Sequence, residues 1–194
     1  MSKKRPLPSR MFLQAIVPLS LAACIPLIVC LLQPEAKAVD AMSSTSQTRI
    51  AVTLPVETHP TAPPDTPLSA ELIEEVTTAC DEYNVPLEIA LGVIETESCY
   101  QSDAVNGNCV GLYQINMDYA QAYIDALGVT DIADPMQNIV CGVWYLGQLL
   151  EQYGDVDLAL MHYSLGNLAD ELWASGIHST TYTDKVHAAA ARLT

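Results

Sequence analysis

The chain has 194 residues, with 23 Asp and Glu against 8 Lys and Arg and a formal net charge of −15, a length that holds one domain with appendages. Six of the cations lie at or before Arg49, so beyond residue 67 only Lys185 and Arg192 face 19 carboxylates, a formal charge of −17. Such a segment repels phosphate backbones and has no basic stripe, which excludes nucleic acid as a partner.

In chain order, the opening MSKKRPLPSR carries Lys3, Lys4, Arg5 and Arg10, and the 22 residues Met11 to Leu32 that follow are uncharged. A basic flank before an apolar run is an export signal, and this run reaches the roughly 20 residues that cross a bilayer as a helix. Three readings of residues 1–38 stay open. Ala36-Lys37-Ala38 is an A-x-A site for a signal peptidase, the run left uncut is a single membrane anchor, and Leu21-Ala22-Ala23-Cys24 resembles a lipobox. The apolar character of residues 25–32 argues against the last. Under each, the basic flank stays cytoplasmic and the rest faces outward, secreted or anchored.

Residues 39–67 are rich in Ser, Thr and Pro, with Pro55, Pro60, Pro63, Pro64 and Pro67, and read as an extended linker. The globular domain is expected over 68–194. Leu72, Ile73, Val76, Ala79, Cys80 and Tyr83 form one helical face that Asn84 and Pro86 end. Pro86 suits the first turn of a second helix running to about Ser98. The stretch Asp103 to Gly111 reads as a loop, and Leu112 to Ile115 as a short strand or extended turn. Asn116 caps a third helix that stops at Gly128. Asp134, Pro135 and Gln137 make a helix start, with Gln137 reaching back as in a capping box, and that helix ends at Gly154. Asp157 is placed as the cap of the next, and residues 168–174 and 181–192 read as helical. The expectation is an all-α domain with at most a short β element.

Of six cysteines, Cys24 and Cys30 lie in the apolar run and Cys80, Cys99, Cys109 and Cys141 in the exported part. An even number outside the cytoplasm permits disulfides, and Cys99 with Cys109 and Cys80 with Cys141 is the favoured pairing, buried thiols being the alternative. No C-x₂-C spacing occurs, which argues against zinc.

The second helix carries three glutamates. At about 100° per residue, Glu97 falls roughly 20° from Ala90, 40° from Val93 and 60° from Ile94, on the apolar face, whereas Glu88 and Glu95 point away. A carboxyl on a core-facing stripe has its pKa raised, which is what a general acid needs near neutral pH. Geometry alone also accommodates a helix-end glutamate that has simply reached solvent.

Glu97-Ser98, then Gly111-Leu112-Tyr113-Gln114-Ile115-Asn116 thirteen residues after Ser98, resembles the signature of soluble lytic transglycosylases, relatives of goose-type lysozyme. Val85-Pro86-Leu87-Glu88-Ile89-Ala90-Leu91 is similar to the start of that family's catalytic helix. Asp134-Pro135-Met136-Gln137-Asn138-Ile139 with Gly142 and Tyr145-Leu146 is similar to its next core helix. Ala159-Leu160-Met161-His162-Tyr163-Ser164-Leu165-Gly166 resembles its Ala-Leu-x-x-Tyr-Asn-x-Gly, and Tyr182 to Val186 its closing helix. The resemblance spans residues 70–190 and implies a lysozyme-like helical fold.

It also implies that Glu97 is the catalytic acid and base, oriented by a hydrogen bond from Tyr163. Ser98, Asn106, Tyr113, Gln114 and Ser164 would then line the sugar groove. A helical tyrosine such as Tyr163 is otherwise an ordinary buried aromatic. The chain departs from the family at Tyr113, where the family has methionine, at Ser164, where it has asparagine, and at Asn106, where it has serine. The implied reaction cleaves the MurNAc-GlcNAc bond of peptidoglycan and closes a 1,6-anhydro ring, with no metal or other cofactor. Hydrolases of this kind use two carboxylates about 5–9 Å apart, and no partner for Glu97 is evident beyond Asp103 and Asp118, better read as a loop and a first-turn residue. Two rivals remain: a lysozyme-type muramidase, and a non-catalytic wall-binding domain of a secretion or conjugation apparatus, which the acidic surface suits. Enzymes of this type also accompany such machines.

Overall fold

A computed structural model describes residues 66–193. The proposed signal, anchor or lipobox and nearly all of the proposed linker lie outside them. No helix among the described residues is long and apolar enough to cross a membrane.

Seven α-helices are found among the described residues: α1 Ala70–Tyr83, α2 Leu87–Ser98, α3 Ala120–Leu127, α4 Pro135–Tyr153, α5 Val156–Leu165, α6 Leu168–Ala174 and α7 Thr181–Ala190. Between α2 and α3 lie three two-residue strands, β1 Val105–Asn106, β2 Cys109–Val110 and β3 Ile115–Asn116, antiparallel in the order β1-β2-β3. The expected all-α domain with a short β element is the one observed. The stretch read as a loop, Asp103 to Gly111, contains the first two of these strands.

Local signals account for most boundaries. Asn84 closes α1 in the left-handed conformation at φ 56°, which asparagine tolerates better than most residues. Pro86 stands one position earlier than expected, as the N-cap of α2, in extended backbone. Asn116 accepts from Asp118 N at 2.9 Å, but the turn it caps is a 3₁₀ segment, Met117–Tyr119, that leads into α3. Asp134 caps α4 through Gln137 N at 3.0 Å. Gln137 does not complete a capping box. Its carbonyl oxygen instead accepts from Thr130 N at 2.6 Å and Asp131 N at 3.1 Å, tying down the preceding loop. The cap of α5 is Asp155, which accepts from Leu158 N at 3.0 Å, and not Asp157. Asp157 lies in the first turn and faces His187 Nε2 at 2.7 Å.

The core lies where α4 meets α1 and α5, and α2 meets α7. Val76, Ala90, Leu91, Val93, Ile94, Ile139, Val143, Leu146 and Leu160 are fully closed to solvent. At about 1.5–3 kcal/mol for each large aliphatic side chain, this burial is the main force holding the helices together. Gly92 lets α7 approach α2: a Cβ there would stand 2.6 Å from the Val186 carbonyl oxygen. That close crossing carries Tyr182, one turn before Val186, to the end of α2.

Cys99 and Cys109 are disulfide-bonded. Cys80 and Cys141 are not joined to each other, which corrects the second expected pair. Both are buried at the α1 and α4 interface, where a thiol acts as a small apolar side chain. Burial pushes the Cys80 thiol up to about 12, so the thiolate needed for exchange scarcely forms.

Candidate active site

Glu97 lies in the last turn of α2, one residue before its end. The face predicted for it is the one observed, since Ala90, Val93 and Ile94 are completely buried. Glu95 points elsewhere and pairs with Arg192. The Glu97 side chain is partly open to solvent, yet protein atoms surround it on nearly every side. The opening makes it reachable. The surrounding protein raises its pKa from 4.5 to about 7 by desolvation, against a smaller lowering by the Tyr182 hydrogen bond. No neighbouring carboxylate contributes to that rise. Asp103 and Asp118 are exposed, and Asp118 accepts from Asn108 Nδ2 at 2.8 Å.

The hydrogen bond that orients Glu97 comes from Tyr182, whose hydroxyl donates to Oε1 at 2.8 Å. Sequence reasoning assigned this bond to Tyr163. The Tyr163 hydroxyl instead donates to the Tyr113 carbonyl oxygen at 2.9 Å. Its ring lies nearly parallel to that of Tyr182, with centroids 6.4 Å apart. Burial and the Glu97 charge both hold the Tyr163 and Tyr182 phenols well above their usual range, so each keeps its proton. Tyr182 stood inside the closing segment already singled out. Nothing local linked it to a glutamate 85 positions earlier.

Aromatic contacts run inward from this pair. Tyr163 meets Tyr145 at 5.5 Å, Tyr145 meets Tyr123 at 6.4 Å, and Tyr123 meets Trp144 edge-on at 5.7 Å. Of these rings, Tyr163 and Tyr182 interact with Glu97, and burial is the main cause of its raised pKa.

The remaining expected site residues divide. Tyr113 was expected at the sugar groove, and its side chain is completely buried. The ring stands over Gly142, where an added Cβ would come within 2.0 Å of Cγ, and its hydroxyl donates to the Ala90 carbonyl oxygen of α2 at 3.3 Å. It supports the wall from behind and offers no face to a ligand. Ser98 is also buried, with Oγ donating back to Ile94 O at 3.0 Å, an intrahelical bond. Ser164 does the same with Leu160 O at 3.2 Å and Met161 O at 3.3 Å. Gln114 follows Tyr113 with a left-handed φ of 45°. Its Nε2 donates to Gly111 O at 2.9 Å and Ala104 O at 3.2 Å, which shapes the turn from within. Asn106 is partly buried at the end of β1, opposite Cys109. The fold therefore gathers Glu97, Tyr163 and the Tyr113 backbone, with Tyr182 added. Ser98 and Ser164 spend their hydroxyls on their own helices. Among the described residues no group of three or more His, Cys, Asp or Glu could hold a metal ion.

A curated relative described as "Transglycosylase", from Enterobacteria phage PRD1, is 34% identical over 114 residues, 58% of this chain and 40% of that protein. The chain thus spans well under half the length of that relative. No solved structure matches. The family model described as "Transglycosylase SLT domain" matches residues 74–182, running from α1 to the tyrosine that holds Glu97. Because that match takes in more than half of the chain, this protein belongs to the transglycosylase SLT domain family.

Proposed function

We propose that the domain is a peptidoglycan lytic transglycosylase, acting outside the cytoplasm, with Glu97 as its single acid and base. One observation carries the reading: a reachable carboxyl with a pKa of about 7, held by a tyrosine and with no carboxylate acting on it among the described residues. A hydrolase that activates water opposite an acid needs that second carboxylate. A transglycosylase does not, because the substrate supplies its own nucleophile.

The geometry supports a definite proton inventory. Oε1 accepts from Tyr182, so the transferable proton of the neutral acid sits on Oε2. Oε2 gives this proton to the glycosidic oxygen between MurNAc and GlcNAc as the C1–O bond breaks. The substrate's N-acetyl oxygen stabilises the positive charge at C1. The carboxylate now present at Glu97 takes the proton of the MurNAc C6 hydroxyl, whose oxygen bonds to C1 and closes the 1,6-anhydro ring. The enzyme ends as it began, protonated, and no water is consumed. Tyr182 stabilises the transient carboxylate without giving up its own proton. Gln114 uses both amide hydrogens on backbone carbonyls, so any contact it makes with a sugar hydroxyl is as acceptor.

The test is product chemistry. Full-length protein incubated with purified peptidoglycan should release fragments ending in 1,6-anhydro-MurNAc, seen by mass spectrometry as lighter than the hydrolytic product by the mass of one water. Reducing ends in their place would establish a muramidase. Binding without cleavage, unchanged by Glu97→Gln, would establish a wall-binding domain. A place within a wall-spanning secretion or conjugation complex is a further proposal, resting on the export signal and the acidic domain surface.

A further inference from the structure

We propose that Asn138, inside α4, is a positioning residue: it sets the backbone of the Gly111 to Gln114 wall and, through the Tyr113 carbonyl, the direction in which Tyr163 directs its hydroxyl proton. The inference deepens the functional reading above and rests on it only for what the site does.

Asn138 is completely buried. Its side chain joins three backbone groups on two stretches of chain, the Val110 to Tyr113 wall and the loop before α4. Oδ1 accepts from Tyr113 N at 2.9 Å, while Nδ2 donates to Val110 O at 3.1 Å and Ile132 O at 3.0 Å. A buried amide with both hydrogens and its oxygen in use is strongly constrained, since each group left unpaired would cost about 1–3 kcal/mol. Gly111 is shaped to receive it. Its φ is +76°, and a Cβ there would stand 2.4 Å from Asn138 Nδ2.

The same residue of the wall is gripped twice more. Gly142, four residues after Asn138 on the same face of α4, receives the Tyr113 ring. The Tyr113 carbonyl accepts the Tyr163 proton. The N–H and C=O of Tyr113 are thus held by side chains from α4 and α5, and a shift of one moves the other.

This link matters because a phenol has one proton to give. While the Tyr113 carbonyl takes it, Tyr163 cannot donate to Glu97, whose Oε1 bond comes from Tyr182. A second phenolic donor would stabilise the carboxylate and lower its pKa, leaving less of Glu97 protonated near neutral pH. The titratable groups that interact with Glu97 are Tyr163 on α5 and Tyr182 on α7, both neutral, while Glu95 on α2 turns to Arg192.

The experiment follows Glu97 in the labelled full chain by carboxyl ¹³C NMR titration, in wild type, Asn138→Ser and Gly111→Ala, each also in a Tyr163→Phe background. Folding of every variant is checked by circular dichroism. Gly111→Ala displaces the same amide from the other side and carries the test if Asn138→Ser does not fold. The expected result is about tenfold weaker proton affinity at Glu97 in the single variants, about 1.4 kcal/mol, and no added change once Tyr163 is Phe. An unchanged Glu97 titration in a folded variant, or an equal shift without the Tyr163 hydroxyl, would overturn the proposal. Wild-type protein that titrates as expected but yields no anhydro product would instead refute the functional reading and leave this one standing.

Discussion

Glu97→Gln should abolish cleavage and, at alkaline pH, make the folded domain more stable. Glutamine keeps the shape and still offers Oε1 to Tyr182, but it carries no charge at any pH. In the wild type the folded carboxyl has a pKa of about 7 against 4.5 for a free glutamate side chain. The folded state therefore holds the proton more tightly than the unfolded chain. Below about pH 4.5 both states are protonated and the group is neutral in its effect. Between 4.5 and 7 the unfolded chain ionises first and stability falls. Above 7 the full difference is present, about 3 kcal/mol as an upper figure, because water reaching the carboxyl screens part of it.

Urea unfolding of both proteins at about pH 4 and about pH 8.5 measures this directly, since the variant's advantage should appear only at the higher value. In thermal unfolding the alkaline difference corresponds to about 10 °C for a domain of this size. A difference of equal size at both pH values, or none at either, would refute the claim that the fold spends stability on a desolvated acid.

Other consequences are open to measurement. Tyr182→Phe removes the hydrogen bond that lowers the Glu97 pKa, so the alkaline limb of kcat/KM should move to higher pH while the maximum falls about 10- to 100-fold. Gly142→Ala drives a methyl into the Tyr113 ring and should destabilise the domain by about 1–3 kcal/mol in urea unfolding, with unchanged stability refuting the packing described. His162 is buried, with Nε2 on Asp170 at 3.1 Å and its pKa lowered chiefly by desolvation. The unfolded chain protonates first, so this residue's contribution is lost as pH falls below about 6.5, a loss that His162→Gln should remove from the stability profile. Non-reducing peptide mapping should recover Cys99 and Cys109 in one cross-linked peptide, and Cys80 should react with an alkylating agent only after unfolding.

The sequence by itself determined the helices and the face that Glu97 occupies, because these depend on neighbours within about one turn. Apolar residues recurring at three and four positions, Asn84 and Gly154 as left-handed stops, and Asp134 before Pro135 as a cap all act locally. The motif order pointed to the candidate site on the same footing, since residues such as Glu97 and Gln114 are recognisable in their own short segments.

What only the tertiary structure decided were matters of who meets whom. The partner of Glu97 depends on how closely α7 crosses α2, which Gly92 permits, and no periodicity reports a contact between residues 97 and 182. Tyr113 looked like a groove residue because its segment resembles one. Whether its side chain faced the groove or the core was set by the space above Gly142 in another helix. Gln137 and Asp157 were assigned to helix caps on spacing, and partners outside those helices, at Thr130 in the preceding loop and His187 in α7, claimed them instead. A side chain's last hydrogen bond is chosen by the nearest competing partner in space.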